Sequence, residues 1–187
     1  MNWPLLLILL IACAVMMLLE SRGLRTTLKL SFKGDVKRET AFLAQWGQSI
    51  ATPLVTLIIY QLDPPHRRAA LFMFAAVLTT SIICFILKRL LGRVRPNKEG
   101  AGRFLGPSFG HDSQRESFPS SHSACAITLS VFLAHLYPPA AITFIALGIT
   151  TAILRYVLDA HFPSDVLGGV AIGYISAIAA LHFVGLA

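Results

Sequence analysis

The chain has 187 residues, of which 55% are hydrophobic and only 13% charged, with a mean hydropathy of +0.68. A soluble domain of this size carries about a quarter charged residues, so the composition excludes an ordinary water-soluble enzyme and indicates one membrane-embedded domain over 1–187. The formal charge of +7 is concentrated, with six of the 16 Lys and Arg between Arg22 and Arg38 and seven between Lys88 and Arg115, in loops between apolar runs. That placement favours anionic lipid headgroups and argues against nucleic acid as the partner.

Six apolar spans follow in chain order. The first covers about 3–19 without a charge. Cys13 follows Leu10-Ile11-Ala12, which resembles a lipoprotein cleavage box, but no Lys or Arg precedes it and the apolar run continues, so an uncleaved helix is expected. Residues 20–40 are polar and basic. Leu24, Leu28 and Phe32 recur every four residues beside Arg25, Lys29 and Lys33, which reads as an amphipathic helix on the membrane surface, broken at Gly34.

The second span, 41–60, has a polar start (Gln45, Gln48, Ser49) and a Pro53 expected to kink it. Asp63-Pro64-Pro65 makes a turn, and the third span, 69–88, ends on Lys88. After a polar loop rich in Gly and Ser, the fourth span runs over 122–137, Pro138-Pro139 makes a tight return, and the fifth covers 140–158. Pro163 suits the first position of the sixth, 163–187, in which Gly169, Gly173 and Ala177 repeat every four residues and allow close helix packing. Trp3 and Trp46 fit interfacial anchors or packing equally well. Cys13, Cys84 and Cys125 all lie in apolar runs and read as buried thiols rather than metal ligands.

Six spans put both termini on one side and bring the loops after spans one, three and five to the other. Three polar segments thus converge on one membrane face, as a site at the mouth of a helix bundle requires. Lys88 and Arg95, seven residues apart, lie near one helical face if the helix persists, although Gly92 and Pro96 suggest that it ends between them. Pro119-Ser120-Ser121-His122 opens the fourth span, where a Ser-rich helix start leaves N–H groups free for an anion. His161 precedes Pro163, and Asp165 in the following first turn is placed to reach back to one of its ring nitrogens. Each feature alone has a bland explanation: a snorkelling cation, an N-cap, a capping aspartate. Four charged groups and two histidines at one membrane face together need a reason.

These segments resemble the type-2 phosphatidic acid phosphatase superfamily, whose pattern is KxxxxxxRP, PSGH and SRxxxxxHxxxD. Lys88 to Pro96 matches the first motif in full. The second is matched except at Ser121, where Gly is usual, and the third except at Leu154, where Ser is usual. Asp159 also stands where related sequences often have Gly, and is expected to point away from the phosphate. The resemblance covers roughly 85–175.

The resemblance implies an all-α, six-transmembrane-helix fold and metal-independent dephosphorylation of a lipid phosphate or pyrophosphate, with no cofactor. Carried over residue by residue, His161 is the nucleophile that forms a phosphohistidine, Asp165 orients it, and His122 protonates the leaving group. Lys88, Arg95, Arg155, Ser120 and Ser121 hold the phosphate. Candidate substrates are phosphatidic acid, phosphatidylglycerophosphate, undecaprenyl pyrophosphate and a lipid A phosphate. Lipid phosphotransfer from the same intermediate and non-enzymatic anion binding are the alternatives. The family's bacterial members imply the cytoplasmic membrane with the site facing the periplasm, whereas 14 of 16 Lys and Arg on the site side would by the positive-inside rule place it in the cytoplasm. No obligatory protein partner is evident.

Overall fold

The computed structural model describes residues 2–24, 26–28, 30, 33–48, 50–107, 110 and 113–186. Among them are seven α-helices: α1 (Trp3–Ser21), α2 (Gly34–Leu43), α3 (Ala51–Leu62), α4 (Arg67–Leu91), α5 (Ser121–Leu136), α6 (Ala141–Val157) and α7 (Pro163–Val184). No strand longer than an isolated bridge is present among these residues; one such bridge pairs Arg93 with Phe104, and Leu158 is also a bridge residue.

Helix α5 is the axis of the bundle, packed against α4, α6 and α7, while α1 packs on the outer side of α7. Every residue of α5 from Ser123 to Leu133 is buried, so this helix needs no apolar stripe: the other helices, not lipid, surround it. By contrast α1 buries only Leu6 and Cys13 and turns Leu7, Ile8 and Ile11 outward, which suits hydrocarbon as the surrounding solvent. The α5–α7 contact depends on two glycines of the four-residue repeat. A Cβ at Gly173 would run into the Ala124 carbonyl oxygen, and one at Gly169 into that of Ser120. Thr128 Oγ1 uses this closeness to donate to the Gly173 carbonyl at 3.2 Å.

The helix ends follow local chemistry. Asn2 caps α1 by accepting from Leu5 N–H at 3.1 Å. Gly92, at φ 59°, ends α4 in the left-handed conformation, with Lys88 and Arg89 in the last turn. Pro163 occupies the first turn of α7, as expected.

Among the described residues four helical segments are long and apolar enough to cross a membrane: Trp3–Ser21, Pro64–Leu91, Pro138–Val157 and Pro163–Val184. The other two expected spans are short, α5 at 16 residues and α3 at 12. The expected span 41–60 is cut because residues 44–48 turn rather than coil. Gly47 adopts φ 78° there, and any Cβ on it would collide with the backbone at Ala126. The helix therefore starts only at Ala51, which moves Pro53 into its first turn, where proline costs no hydrogen bond and causes no kink.

The amphipathic helix expected before Gly34 is a second correction. Arg25, Lys29 and Phe32 of that stripe lie outside the described residues. Those described around them are not helical: Leu30 N–H bonds to the Val157 carbonyl at 3.0 Å, and Thr26 O accepts from Tyr156 Oη at 2.9 Å, so both residues are tied to the end of α6. Gly34 begins a helix rather than breaking one, with Asp35 in its first turn.

All three cysteines are buried and free. Trp46 is a packing residue, donating from Nε1 to Ser130 Oγ on α5 at 2.8 Å, whereas Trp3 is exposed.

Candidate active site

The C-terminal ends of α1, α4 and α6 and the N-terminal ends of α5 and α7 meet at one end of the bundle, as the loop count anticipated. The loop between α4 and α5 is pinned there by its own backbone. Ser117 N–H bonds to Arg93 O at 3.0 Å, Arg95 N–H to Gln114 O at 2.9 Å, and Ser120 N–H to Asp165 O at 2.9 Å.

His161 lies on the short connection between α6 and α7 and is fully buried. Its Nδ1 is 3.6 Å from Asp165 Oδ2, which is ion-pair distance rather than a hydrogen bond, and Nδ1 has no partner at hydrogen-bond distance. Burial pushes the His161 imidazole down to about 4. Asp165 opposes that shift, while Lys88 and Arg155 add to it. The ring is therefore neutral at ordinary pH.

Asp165 makes two sets of contacts with one side chain. As the third residue of α7 it accepts from Phe162 N–H at 2.9 Å, an N-terminal cap. The same Oδ2 accepts from Ser117 Oγ at 2.6 Å and faces His161, while Oδ1 accepts from Arg93 Nη1 at 2.6 Å. The expected capping role and the expected orienting position are thus compatible.

The remaining expected residues gather around His161. His122, half-buried at the start of α5, lies in the electrostatic field of Arg155, His161, Lys88 and Arg95. Lys88 stays on α4 and donates to Glu116 O at 3.1 Å. Arg95 is off the helix, because α4 ends at Leu91. It donates from Nε to Ser113 O at 2.8 Å and from Nη1 to Ala160 O at 3.3 Å, bridging the two loops. Arg155 reaches in from the last turn of α6, with its buried Nε unpartnered. Ser120 is fully buried and caps α5, its Oγ accepting from Ser123 N–H at 3.4 Å and Ser123 Oγ at 2.9 Å. Ser121 is half-buried beside the Cys84 thiol. Among the described residues no three or more His, Cys, Asp or Glu side chains gather as a metal-ligand set.

Asp159 takes φ 56°, a left-handed conformation that glycine adopts freely and aspartate tolerates. Leu154 is buried in the packing of α6.

The sequence reading missed a buried polar cluster behind Asp165. Arg93 is 1% exposed and donates to three oxygens: Asp165 Oδ1, Ser164 Oγ at 2.6 Å and Glu20 Oε2 at 2.7 Å. Its guanidinium lies 4.4 Å from the Phe162 ring centroid and 5.1 Å from that of Phe104. Glu20, from the last turn of α1, also accepts from Ser164 N–H at 3.2 Å and from Ser164 Oγ. The available signal was a glutamate at the end of an otherwise uncharged span, and two further cations, Arg89 and Arg93, between Lys88 and Arg95.

A cavity of about 360 Å³ opens between α3, α4 and α5, lined by Gln48, Thr52, Phe74, Val77, Leu78 and Cys125. Cys125 is one helical turn along α5 from Ser121, so the cavity lies just beneath the cluster of cations.

Comparison with known proteins bears on the family and the fold. The family model described as PAP2 superfamily matches residues 69–187. Lipid A 1-phosphatases from Rhizobium johnstonii and Rhizobium etli are each 35% identical to the chain, over 114 and 103 residues. Those matches cover 60% and 54% of this chain but 47% and 44% of the relatives, so the chain spans about half the length of the curated relatives it matches. The crystal structure of a transmembrane PAP2-type phosphatidylglycerolphosphate phosphatase from Bacillus subtilis superimposes with a TM-score of 0.66 at 22% identity, covering 96% of this chain and 93% of that one, and shows a shared fold. With the motif residues gathered at one end of a matching helical bundle, the chain belongs to the PAP2 superfamily.

Proposed function

We propose that this protein is a membrane phosphatase that removes phosphate from a lipid phosphomonoester or pyrophosphate through a phosphohistidine at His161, without a metal ion. The observation that carries the reading is the buried His161–Asp165 pair facing Lys88, Arg95, Arg155 and His122. An anion-binding protein needs the cations but has no use for the pair.

Nδ1 of His161 faces Asp165, leaving Nε2 as the free nitrogen. In the proposed reaction Nε2 attacks phosphorus, an N–P bond forms, and the P–O bond to the lipid breaks. His122, whose protonation burial and the surrounding cations oppose until a phosphate's negative charge is bound among them, gives its proton to the departing oxygen. It then takes a proton from water, which attacks the phosphohistidine and releases inorganic phosphate and neutral His161. Lys88, Arg95 and Arg155, with the N–H groups at the start of α5 and the Ser120 and Ser121 hydroxyls, neutralise the phosphoryl oxygens. A neutral, buried imidazole suits a nucleophile, and Asp165 stabilises the charge it acquires.

The cavity between α3 and α4 supports sideways delivery of a lipid, and the relatives' names point to lipid A phosphate among the candidate substrates. We place the site on the periplasmic side. Several of the basic residues that argue otherwise bind phosphate in this reading, which weakens the orientation count without reversing it.

Phosphate release by the detergent-purified protein tests the reading. Phosphatidic acid, phosphatidylglycerophosphate, undecaprenyl pyrophosphate and lipid A would be offered with excess EDTA, beside His161→Ala. Release that survives EDTA and disappears in the variant is the expected result. Loss of release with EDTA, or a His161→Ala protein that still turns over, overturns it. For orientation, Ser113→Cys is expected to react with an impermeant thiol reagent in intact cells; reaction only after lysis reverses the assignment.

A further inference from the structure

Glu20 lies on α1, outside the segment matched by the family model, and no part of the proposed reaction uses it. Its side chain is nevertheless 2% exposed, at the end of a helix that is otherwise hydrocarbon. A carboxylate there is costly unless its partners compensate.

Those partners create an unequal charge count. Arg93 donates to both Glu20 Oε2, at 2.7 Å, and Asp165 Oδ1, at 2.6 Å, so one guanidinium serves two carboxylates. Ser164, the residue before Asp165, closes the ring: its hydroxyl accepts from Arg93 Nη1 and donates to Glu20. If Arg93 paired with Asp165 alone, the two charges would cancel and leave little negative field at His161. With Glu20 present the trio carries a net charge of −1, and Oδ2 of Asp165 is the oxygen facing His161 Nδ1 at 3.6 Å. The two residues divide the work. Arg93 fixes the rotamer of Asp165, and Glu20 offsets the charge that Arg93 brings.

We propose that Glu20 is a positioning residue for the nucleophile, which keeps Asp165 electrostatically negative toward His161 by neutralising Arg93 from the far side. This rests on the phosphohistidine reading above. The charge matters when His161 attacks, since the imidazole becomes cationic as the N–P bond forms. The other groups around the pair are Lys88, Arg95 and Arg155, all cationic, with His122, Glu116 and Cys13. Asp165 thus faces an excess of positive charge, and Glu20 is the carboxylate that shares its cation.

The test uses Glu20→Gln in the full chain in detergent. Glutamine keeps the shape and removes the charge. Turnover of a lipid phosphate accepted by the unsubstituted protein is expected to fall about tenfold in kcat with KM within about twofold, as for an interaction made in the transition state. The His161 ¹⁵N titration, assigned by the signal lost in His161→Ala, is expected to move to lower pH, because removing a negative charge disfavours the protonated ring. Glu20→Asp, which keeps the charge, is expected to restore part of both. An unchanged kcat and midpoint in Glu20→Gln would overturn the proposal. So would a fall in kcat with an unmoved midpoint, which would reduce Glu20 to packing. The titration needs no substrate, so absence of phosphate release by the unsubstituted protein would defeat the functional reading while leaving this measurement decisive.

Discussion

Arg93 Nη1 stands 2.6 Å from Asp165 Oδ1, which ties the carboxylate at the start of α7 to a residue 72 positions earlier, just past the end of α4. The cation is buried, so its contribution depends on having both partners. Replacing it by methionine leaves Glu20 and Asp165 buried without their shared counter-charge, and breaking a buried pair from one side costs about 3–5 kcal/mol. Arg93→Met is expected to lower the melting temperature in detergent and abolish turnover. Arg93→Lys, which keeps the charge but not the planar fork, is expected to fold while turning over at least tenfold more slowly. A fully active Arg93→Met would show that Asp165 needs no support.

His122 is assigned to protonating the leaving oxygen, which makes its importance depend on the substrate. An alkoxide leaves poorly without a proton, and acid assistance is worth on the order of 10²–10⁴. A nitrophenolate leaves unaided. His122→Ala is therefore expected to lose two or more orders of magnitude on a lipid alkyl phosphate but far less on p-nitrophenyl phosphate. Equal losses on both would assign His122 to phosphate binding instead.

His161 sets the acid limit. Its imidazole is held at about 4 by burial against the lift from Asp165, so the nucleophile is free above about pH 5 and is lost as pH falls through 4. Asp165→Asn removes the lift, so the acid limb of kcat/KM is expected to move to still lower pH while kcat drops. The pH profile of the two proteins on one lipid substrate checks the sign; a limb that moves upward would mean that Asp165 does not face the nucleophile.

The parts of this site that could be read from sequence were those that break a local rule. Lys88, Arg95, His122, Arg155, His161 and Asp165 are polar groups at the ends of apolar runs, and their spacing carried the family resemblance. Glu20, Arg93, Ser117 and Ser164 were not legible for a physical reason. Each looks locally like part of a polar loop or a helix start, and only the packing of α1 against α7 brings Glu20 to a partner 73 residues away. The fold was readable where composition alone sets the helix, as in α1, α4, α6 and α7. It was misread where a tertiary contact decides: Leu30 is tied to α6 through its backbone, which overrides the four-residue apolar stripe, and Gly47 turns the chain because α5 passes too close for a helix.

Gly173 makes the tightest of these contacts testable without activity. A methyl at this position would meet the Ala124 carbonyl of the central helix, which is backbone and has little room to yield. Gly173→Ala is expected to destabilise the protein by about 1–3 kcal/mol, the usual range for overpacking, seen as a lower melting temperature in detergent. Gly110→Ala, where an added Cβ meets no atom of the described residues within 4 Å, is the control expected to show no such loss. Equal melting of both variants and the parent would mean that α5 and α7 pack more loosely than described.

The cavity between α3, α4 and α5 separates a lipid phosphatase from an enzyme for soluble phosphates. Val77 and Leu78 line it on α4, about three turns from Lys88, so filling it leaves the phosphate-binding groups in place. If lipid chains enter there, Leu78→Trp should obstruct a long acyl or prenyl chain but not a small phosphate ester. The expected result is a rise of tenfold or more in KM for a long-chain lipid phosphate, with kcat/KM for p-nitrophenyl phosphate within about twofold of the parent. Both substrates losing equally would point to a distorted site. Neither changing would move the lipid path elsewhere on the bundle, toward the apolar cleft where α6 and α7 line a second cavity with Ile149, Ile153 and Leu167.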